Sequence, residues 1–517
     1  MKYNKIPEFN KLYSNNNIKL SYDENEIEPV ARILSSLGYL YLDSNYCLNF
    51  AKTCIDISFY DYLEDKQIIT DIGILHTWKL FFKNLSLVKD QNVKIDNIKA
   101  NIFKTILLEQ ELIINKFPYV YDGLKTLSLL NYKDNLFWEI CKAYYFFIKE
   151  TEDNDDIEVK FYNKYNVTFE EYISIVYIIS GKFYRDKNQS IELGGMLGEE
   201  SFEFSKHYIK NDKKTVENIL NLLSFDIRDA QSKIDLSINN ALNFSFFQNK
   251  PLLKLNDAYV PILKKYVDDQ LFNSLIYKIA DAFGDVNTKE RSLFWNKLGY
   301  KFERYVSFIL SQTQKEIKKN KFRIISEFDF TFRHNSQKSS DIYIVDGNNI
   351  CVIELKSARP LYDIFQYDNS TSLNSSINKL IFDPLKQAIK CTEKLIELEE
   401  KSEFTQNKNY YFLTITLKNF PFNQDEMEYF SFDSTIKNIK FLKSISIEEF
   451  ELLCEVLSRD RYNIFQVLNE YYANARRDSF KNFLNHYKIN KEHKIISDLV
   501  SEIQEKIDFA YKKYFEL

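Results

Sequence analysis

Three charged residues lie close together in a segment, Ser340–Lys356, that is otherwise rich in apolar residues. They are Asp341, Glu354 and Lys356, and the turn sequence Asp346-Gly347-Asn348-Asn349 separates the first from the other two. Such a turn between two β-branched runs predicts a β-hairpin. A symmetric hairpin places Asp341 opposite Glu354, and Lys356 follows on the same face because side chains alternate along a strand.

The predicted hairpin brings two carboxylates and an ammonium together on a buried sheet, where unpaired charge is costly. Facing carboxylates repel each other, and a divalent cation such as Mg²⁺ or Mn²⁺ relieves that repulsion. A bound metal can polarise a phosphodiester and acidify a water, while Lys356 orients that water or stabilises developing charge. A structural salt bridge between Lys356 and either acid is the alternative interpretation. The triplet Glu-x-Lys is weak by itself, because it recurs in charged contexts such as Glu316-Ile317-Lys318.

Two residues outside the hairpin are candidates for the same site. Glu303 lies in a predicted helix from about Lys289 to Lys319, on the inward side, whereas Arg304 is predicted to point away. Glu303 is therefore either a third metal ligand or a boundary residue paired with a lysine. Asp383-Pro384 predicts a helix start with Asp383 as the N-cap. Gln387 then falls in the first turn, where it could hold the water or a phosphate, or simply be a surface glutamine.

The set Glu303, Asp341, Glu354-x-Lys356 and Gln387 resembles the PD-(D/E)XK nuclease superfamily, with the order helix, three strands, helix, strand. The resemblance covers about residues 290–420, and Ser340 stands where the motif has its proline. It implies a restriction-endonuclease-like core in which the two acids and the Leu355 carbonyl bind Mg²⁺ and Lys356 assists the attacking water. Members of the superfamily cut DNA mostly and RNA sometimes, leaving 5′-phosphate and 3′-hydroxyl ends.

Hydrophobic patterning predicts the elements around this site. The predicted strands are Phe322–Phe332, Asp341–Val345, Ile350–Lys356, Tyr410–Leu417 and a short one at Ile439–Leu442. A capping box at Ser446–Glu449 predicts the start of a helical C-terminal segment. Residues 25 to 240 are predicted as successive helices, and a hairpin near residues 250 to 262 marks a candidate boundary.

The predicted fold class is α/β for the core and α+β for the whole chain. Four parts are expected: a helical recognition or partner region at 1–245, a hairpin and linking helix at 246–288, the nuclease core at 289–445, and a helical extension at 446–517. This organisation suits a chain of 517 residues, which exceeds the usual size of one domain.

Composition limits the partners and the compartment. The net charge of −5 argues against a protein that binds nucleic acid by overall charge, so any phosphate-binding surface must be local or assembled with metal ions or a partner. We expect no membrane span, because no apolar run approaches the ~20 residues that one needs. Scattered cysteines and the lack of a leader sequence favour the cytoplasm.

Three further features are weaker candidates for substrate contacts. The loop Ser357–Leu373 carries Arg359, Tyr362 and Tyr367, and it follows the site directly. The basic run Lys315–Arg323 could contact phosphates or be the solvated end of a helix. His334 precedes Asp341 in a polar segment and is expected to be exposed.

The preferred function is a Mg²⁺-dependent DNA endonuclease, and the resemblance suggests a bacterial anti-phage defence effector or a restriction-type enzyme. One alternative is an RNA-cleaving toxin with the same site. Another is a non-catalytic nucleic-acid-binding or assembly module that keeps a nuclease-like scaffold. The helical N-terminal region is expected to bind a protein partner or form an oligomer.

Overall fold

The protein is a mixture of helices and sheets, as the sequence predicted. The structure, a computed structural model, describes residues 7–13, 22, 24–63, 66–85, 95–116, 136–150, 154–192, 202–237, 241–358, 370–398, 403–418, 434–474, 479–487 and 494–516. Within these residues the strands form a five-stranded sheet, a four-stranded sheet and a separate two-stranded hairpin.

The N-terminal half is mainly helical because its apolar residues recur with helical spacing. In one long helix, for example, Val30, Ile33, Leu34 and Leu37 are all buried. The α-helices of this half are α1 (Phe9–Leu12), α2 (Ile27–Leu40), α3 (Ser44–Lys52), α4 (Tyr60–Leu63), α5 (Asp71–Lys83), α6 (Ile95–Lys116), α7 (Leu136–Tyr144), α8 (Asn154–Tyr165), α9 (Phe169–Glu192), α10 (Lys213–Leu223), α11 (Ile227–Lys233) and α12 (Ser245–Asn249). A turn of π-helix, Tyr145–Lys149, continues α7.

The region predicted as wholly helical also contributes strands, which corrects the sequence-based prediction. The predicted hairpin consists of β3 (Leu252–Leu255) and β4 (Ala258–Pro261), and its two edges are extended by β1 (Phe204–Ser205) and β2 (Ser224–Phe225). These added strands have two residues each, which is too short for an alternating pattern to be visible. The edges of the hairpin recruit them, because an edge strand presents unpaired backbone groups.

The five-stranded sheet consists of β5 (Arg323–Ser326), β8 (Ile342–Asp346), β9 (Asn349–Lys356), β10 (Asn409–Thr416) and β11 (Ile439–Ser446). The order of these strands across the sheet is β11-β10-β9-β8-β5. The pairs β5–β8 and β8–β9 are antiparallel, whereas β9, β10 and β11 are parallel. The predicted register of the hairpin is confirmed, since it runs from Ile342 opposite Ile353 to Asp346 opposite Asn349. Gly347 supplies the left-handed backbone of the turn, with φ +56°.

The strand predicted at Phe322–Phe332 is wrong as one element. It divides into β5, which joins the main sheet, and β6 (Asp329–Phe332), which pairs with β7 (Asn335–Lys338) in the separate hairpin. The chain changes sheets at Glu327, whose N–H donates to the Asp341 carbonyl at 2.9 Å. A continuous alternating pattern does not reveal such a change of partner, because the side-chain period is the same in both sheets.

Helices cover both faces of the main sheet, which explains why β8, β9 and β10 are nearly continuous apolar runs. On one face, Ile344, Ile353 and Leu413 belong to a core shared with α15 (Lys289–Glu316) and α18 (Ile447–Leu457). On the other face, Tyr343, Val352 and Phe412 pack in a second core with α17 (Asp383–Leu398). The remaining helices of this half are α13 (Lys264–Asp268), α14 (Asn273–Phe283), α16 (Ser370–Ile377), α19 (Ile464–Asn474), α20 (Phe480–Asn485) and α21 (Ser497–Tyr514).

Asp383 is not the N-cap of a new helix, which contradicts the prediction for Asp383-Pro384. The helical path is continuous from α16 through a π-helical turn, Asn378–Phe382, into α17, and Asp383 itself is helical with φ −63° and ψ −42°. A proline lacks the N–H that an α-helix would use, and the wider π turn before Pro384 accommodates that loss. By contrast, the predicted capping box of α18 is confirmed, with both Ser446–Glu449 hydrogen bonds present.

Candidate functional site

The hairpin places Asp341, Glu354 and Lys356 at one end of the main sheet. Strand β8 begins one residue after Asp341, and β9 ends at Lys356, so the register brings Asp341 opposite Glu354. The Leu355 N–H donates to Asp341 Oδ2 at 2.6 Å, which fixes the carboxylate against the end of β9. The charged residues that the sequence grouped are therefore together in the fold.

Glu354 is a buried acid whose charge is only partly compensated. Its side chain is 1% exposed, and burial together with the neighbouring Asp341 charge raises its pKa to about 7. The Ser340 hydroxyl and the Lys356 ammonium oppose this shift. Even so, Glu354 Oε1 is buried and accepts no hydrogen bond from the described residues, and Oε2 lies 3.7 Å from Lys356 Nζ. A buried carboxylate oxygen without a donor is expensive unless something else occupies its coordination sphere.

Asp341 shows the same lack of positive charge. Burial raises its pKa, although the Leu355 N–H and the Lys356 charge both act to lower it. Lys356 remains 29% exposed, so it cannot fully neutralise both buried Glu354 and half-buried Asp341. A structural salt bridge accounts for one Glu354 oxygen at most, and a hard divalent cation fits the oxygens that remain.

Tyr343 is a positioning residue that sequence reasoning missed. Its hydroxyl accepts a hydrogen bond from the Ser340 N–H at 3.0 Å, directly before Asp341. The proline that the superfamily motif has at this position would lack that N–H. A tyrosine two residues after Asp341, on the same strand face, was the available sequence signal.

Glu303 borders an open cleft of about 580 Å³ together with Asp341 and Leu355. Burial, followed by the charges of Asp341 and Glu327, raises its pKa. Glu303 is exposed to this cleft instead of packing inward, and Arg304, predicted to point away, lines the same cleft. This side of α15 borders the cleft beside the end of β5 and the start of β8, which is why Glu303 is exposed there.

Among the described residues, no group of three or more His, Cys, Asp or Glu side chains is arranged so that it could hold a metal ion. Asp341 faces Glu354 across the hairpin and Glu303 across the cleft. The oxygen ligands that best fit a divalent cation are therefore the carboxylates of Asp341 and Glu354 and the carbonyl of Leu355. The role of Glu303 as a further ligand stays a prediction.

Glu327 is a second residue that the sequence did not indicate. It lines the cleft, and its carboxylate pairs with Lys338 at 2.8 Å. Because Phe322–Phe332 was predicted as one strand, nothing in the sequence marked Glu327 as the point where the chain leaves the sheet.

No contact with the two acids is seen for the remaining candidates that lie among the described residues. Gln387 is exposed on α17, and no described contact joins it to Asp341 or Glu354. The basic run ends at Arg323, which pairs with Val345 at the opposite end of β5 from the site. His334 is exposed in the β6–β7 turn, as expected. In the loop predicted to touch substrate, Arg359, Tyr362 and Tyr367 lie outside the described residues.

Comparison with known proteins gives no independent assignment. No protein-family model matches the chain, and no curated protein matches it. Among the helices that the structure describes, none has the combination of length and apolar character that a membrane span requires.

Proposed function

We propose that the chain is a Mg²⁺-dependent endonuclease that hydrolyses DNA phosphodiester bonds through a restriction-endonuclease-like core at about residues 289–445. The observation that carries the proposal is the pair of incompletely neutralised acids, buried Glu354 and half-buried Asp341, with Lys356 beside them. Perturbed carboxylates next to an open cleft are typical of catalytic sites.

Each residue has a distinct role in this mechanism. Asp341, Glu354 and the Leu355 carbonyl would hold the cation, which when bound supplies Lewis acidity and an activated water. The Leu355 N–H keeps the Asp341 carboxylate in place. Lys356 Nζ donates hydrogen bonds to the attacking water or to the phosphate oxygen as negative charge develops there. Because Glu354 has a pKa of about 7 and must be ionised to bind metal, metal affinity should rise as pH passes through that value.

A nucleic-acid substrate would have to compete with carboxylates for the cations of the β6–β7 hairpin. Arg333 and Lys338 are exposed, and they pair with Glu397 at 3.2 Å and with Glu327 at 2.8 Å. Because the whole chain carries a net charge of −5, we infer that phosphate binding depends mainly on the bound cation and on Lys356. A defence role in the cytoplasm, and a protein partner for the N-terminal helices, complete the proposal.

The test is cleavage of plasmid DNA, single-stranded DNA and RNA by the purified chain with Mg²⁺ or Mn²⁺. We expect metal-dependent cleavage of DNA and a loss of about 100- to 1000-fold in Asp341→Asn and Lys356→Met. Lys318→Met is the matched control, because it alters the lysine of an exposed Glu-x-Lys triplet. It should cleave like the wild type.

Several results would decide against parts of the proposal. Equal cleavage by the wild type, Asp341→Asn and Lys356→Met would place the activity outside this site. Cleavage of RNA alone would change the substrate class and keep the mechanism. If the wild type cleaves none of the substrates and no metal raises its melting temperature, the scaffold alternative is favoured instead.

A further inference from the structure

The cleft beside Asp341 is unusually acidic for a surface that must accept a polyanion. Among the described residues that line it, the carboxylates are Glu150, Glu303, Glu327 and Asp341, and the single cation is Arg304. A strand of nucleic acid entering this cleft would need positive charge for the phosphates next to the scissile one. A metal at Asp341 and Glu354 supplies charge at the reacting phosphate, which leaves Arg304 for a neighbouring phosphate.

Arg304 is held by a residue from the N-terminal helical region. Its Nε lies 3.6 Å from Glu150 Oε1, and the two side chains are 28% and 18% exposed. Glu150 follows the π-helical turn Tyr145–Lys149 directly, and its own carbonyl accepts a hydrogen bond from Lys301 Nζ at 3.0 Å. The Tyr145 hydroxyl donates to the Arg304 carbonyl at 3.4 Å. Both ends of the turn are therefore fastened to α15 beside the cleft.

The chemistry of a guanidinium suits a double role at this position. It stays charged at every working pH, and its five N–H donors can serve a carboxylate and a phosphate oxygen at once. A carboxylate that fixes one edge of the group limits its rotamers, so less conformational freedom is lost when a phosphate binds.

We propose that Arg304 binds a backbone phosphate adjacent to the scissile one, and that Glu150 positions its guanidinium for that contact. The proposal rests on the proposed nuclease function and adds a substrate-binding residue to it. It also makes the N-terminal helical region part of the substrate cleft, because Glu150 and Tyr145 come from that region.

A purely structural ion pair is the competing explanation, and α15 contains a suitable example. Lys297 Nζ lies 3.3 Å from Asp156 Oδ2 of α8, so this pair also joins the N-terminal region to α15. Neither residue lines the cleft. Lys297→Ala is therefore the matched control for Arg304→Ala.

The experiment measures how tightly the full chain binds a labelled DNA duplex and a labelled single strand, with Ca²⁺ replacing Mg²⁺. Binding is measured between about 50 and 200 mM salt, because phosphate contacts show a salt dependence over this range. Cleavage with Mg²⁺ is measured in parallel. For Arg304→Ala we expect about tenfold weaker binding and a slope of log K against log[salt] shallower by about 1. Glu150→Gln should keep the slope and lower kcat severalfold. Lys297→Ala should change neither quantity.

The outcomes separate this inference from the proposed function. If the wild type cleaves DNA but Arg304→Ala keeps the wild-type salt slope, Arg304 is structural and the inference is wrong while the function stands. If the wild type neither binds nor cleaves nucleic acid, both fail. Arg304→Gln, which removes the charge and keeps much of the side chain, repeats the test if Arg304→Ala unfolds. In Arg304→Gln, the slope of log K against log[salt] should become shallower by the same amount as in Arg304→Ala.

Discussion

Two groups of charged residues in this protein resemble each other in composition and differ in how far they are enclosed. One is the site at Asp341, Glu354 and Lys356. The other, here called the inter-helix cluster, consists of Glu139, Lys142, Asn273, Tyr305 and Glu451, from α7, α14, α15 and α18. Both contain two acids and one lysine.

In the inter-helix cluster, each carboxylate oxygen lies within 4.0 Å of a cation or accepts a hydrogen bond, although Glu139 Oε1 and Glu451 Oε2 take part only in ion pairs among the described residues. Lys142 Nζ lies 2.7 Å from Glu139 Oε1 and 3.8 Å from Glu451 Oε2. Asn273 donates to Glu139 Oε2 at 2.9 Å, and the Tyr305 hydroxyl donates to Glu451 Oε1 at 2.8 Å. Burial raises the pKa of Glu451 to about 8, which favours the protonated acid at neutral pH.

The site at the sheet end is more open. Glu354 Oε1 accepts no hydrogen bond from the described residues, and the lysine is 29% exposed instead of enclosed. Burial of charge is therefore a weak sign of function in this chain, because the inter-helix cluster is buried and enclosed. The informative sign is an incompletely neutralised pair of carboxylates of which one, Asp341, borders an open cleft.

The largest effect that tests this comparison concerns the two lysines. Lys142→Met removes the cation from an enclosed cluster, so we expect the free energy of unfolding to fall by about 3–5 kcal/mol. Lys356→Met removes a partly exposed lysine, and at pH 6 Glu354 can hold a proton, so the loss should stay within about 1 kcal/mol. Urea denaturation of both variants at pH 6 gives the comparison. Equal losses would mean that Lys356 is as structural as Lys142.

A smaller effect distinguishes Glu354 from Glu451, the two glutamates with raised pKa values, by the pH dependence of stability. The folded-state pKa of Glu354, about 7, lies above its usual value of 4.5, so ionisation destabilises the fold and stability falls as pH rises between these values. Without metal, Glu354→Gln should raise the free energy of unfolding by up to about 3 kcal/mol at pH 8 and by little at pH 4.5. The measurement is urea denaturation in EDTA at both pH values.

Glu451→Gln is the control for the pH experiment. Since the pKa of Glu451 is about 8, the stabilising effect of Glu451→Gln should begin near the usual value of 4.5, as for Glu354→Gln, and level off about one pH unit higher. A stabilisation by Glu354→Gln that is the same at pH 4.5 and pH 8 would show that the charge on Glu354 is not what destabilises the metal-free protein.

The smallest effect is expected at Gln387. Because this side chain is exposed on α17, Gln387→Ala should change stability by no more than about 0.5 kcal/mol. Cleavage should fall at most severalfold, compared with about 100-fold or more for Asp341→Asn. Kinetic measurement of both variants is the check. A loss above tenfold in Gln387→Ala would bring Gln387 into the site, as the superfamily resemblance suggests.

Local sequence was sufficient for the hairpin that carries the acids. A turn with a left-handed glycine and two apolar strands fixes the register, and the register alone brings Asp341 opposite Glu354. The capping box at Ser446 is local in the same way, since its hydrogen bonds span three residues. These features depend on neighbours in the chain, so periodicity and turn chemistry were enough to find them.

Sequence could not settle which residues approach these elements from far along the chain. The division of Phe322–Phe332 between two sheets, the exposure of Glu303 to a cleft and the pairing of Arg304 with Glu150 all depend on where other elements pack. The inter-helix cluster likewise depends on contacts between residues far apart in the chain, Glu139 with Asn273 and Lys142 with Glu451. Tertiary structure decided these contacts, because the neutralisation of a buried charge is set by distance in space and not by spacing in the chain.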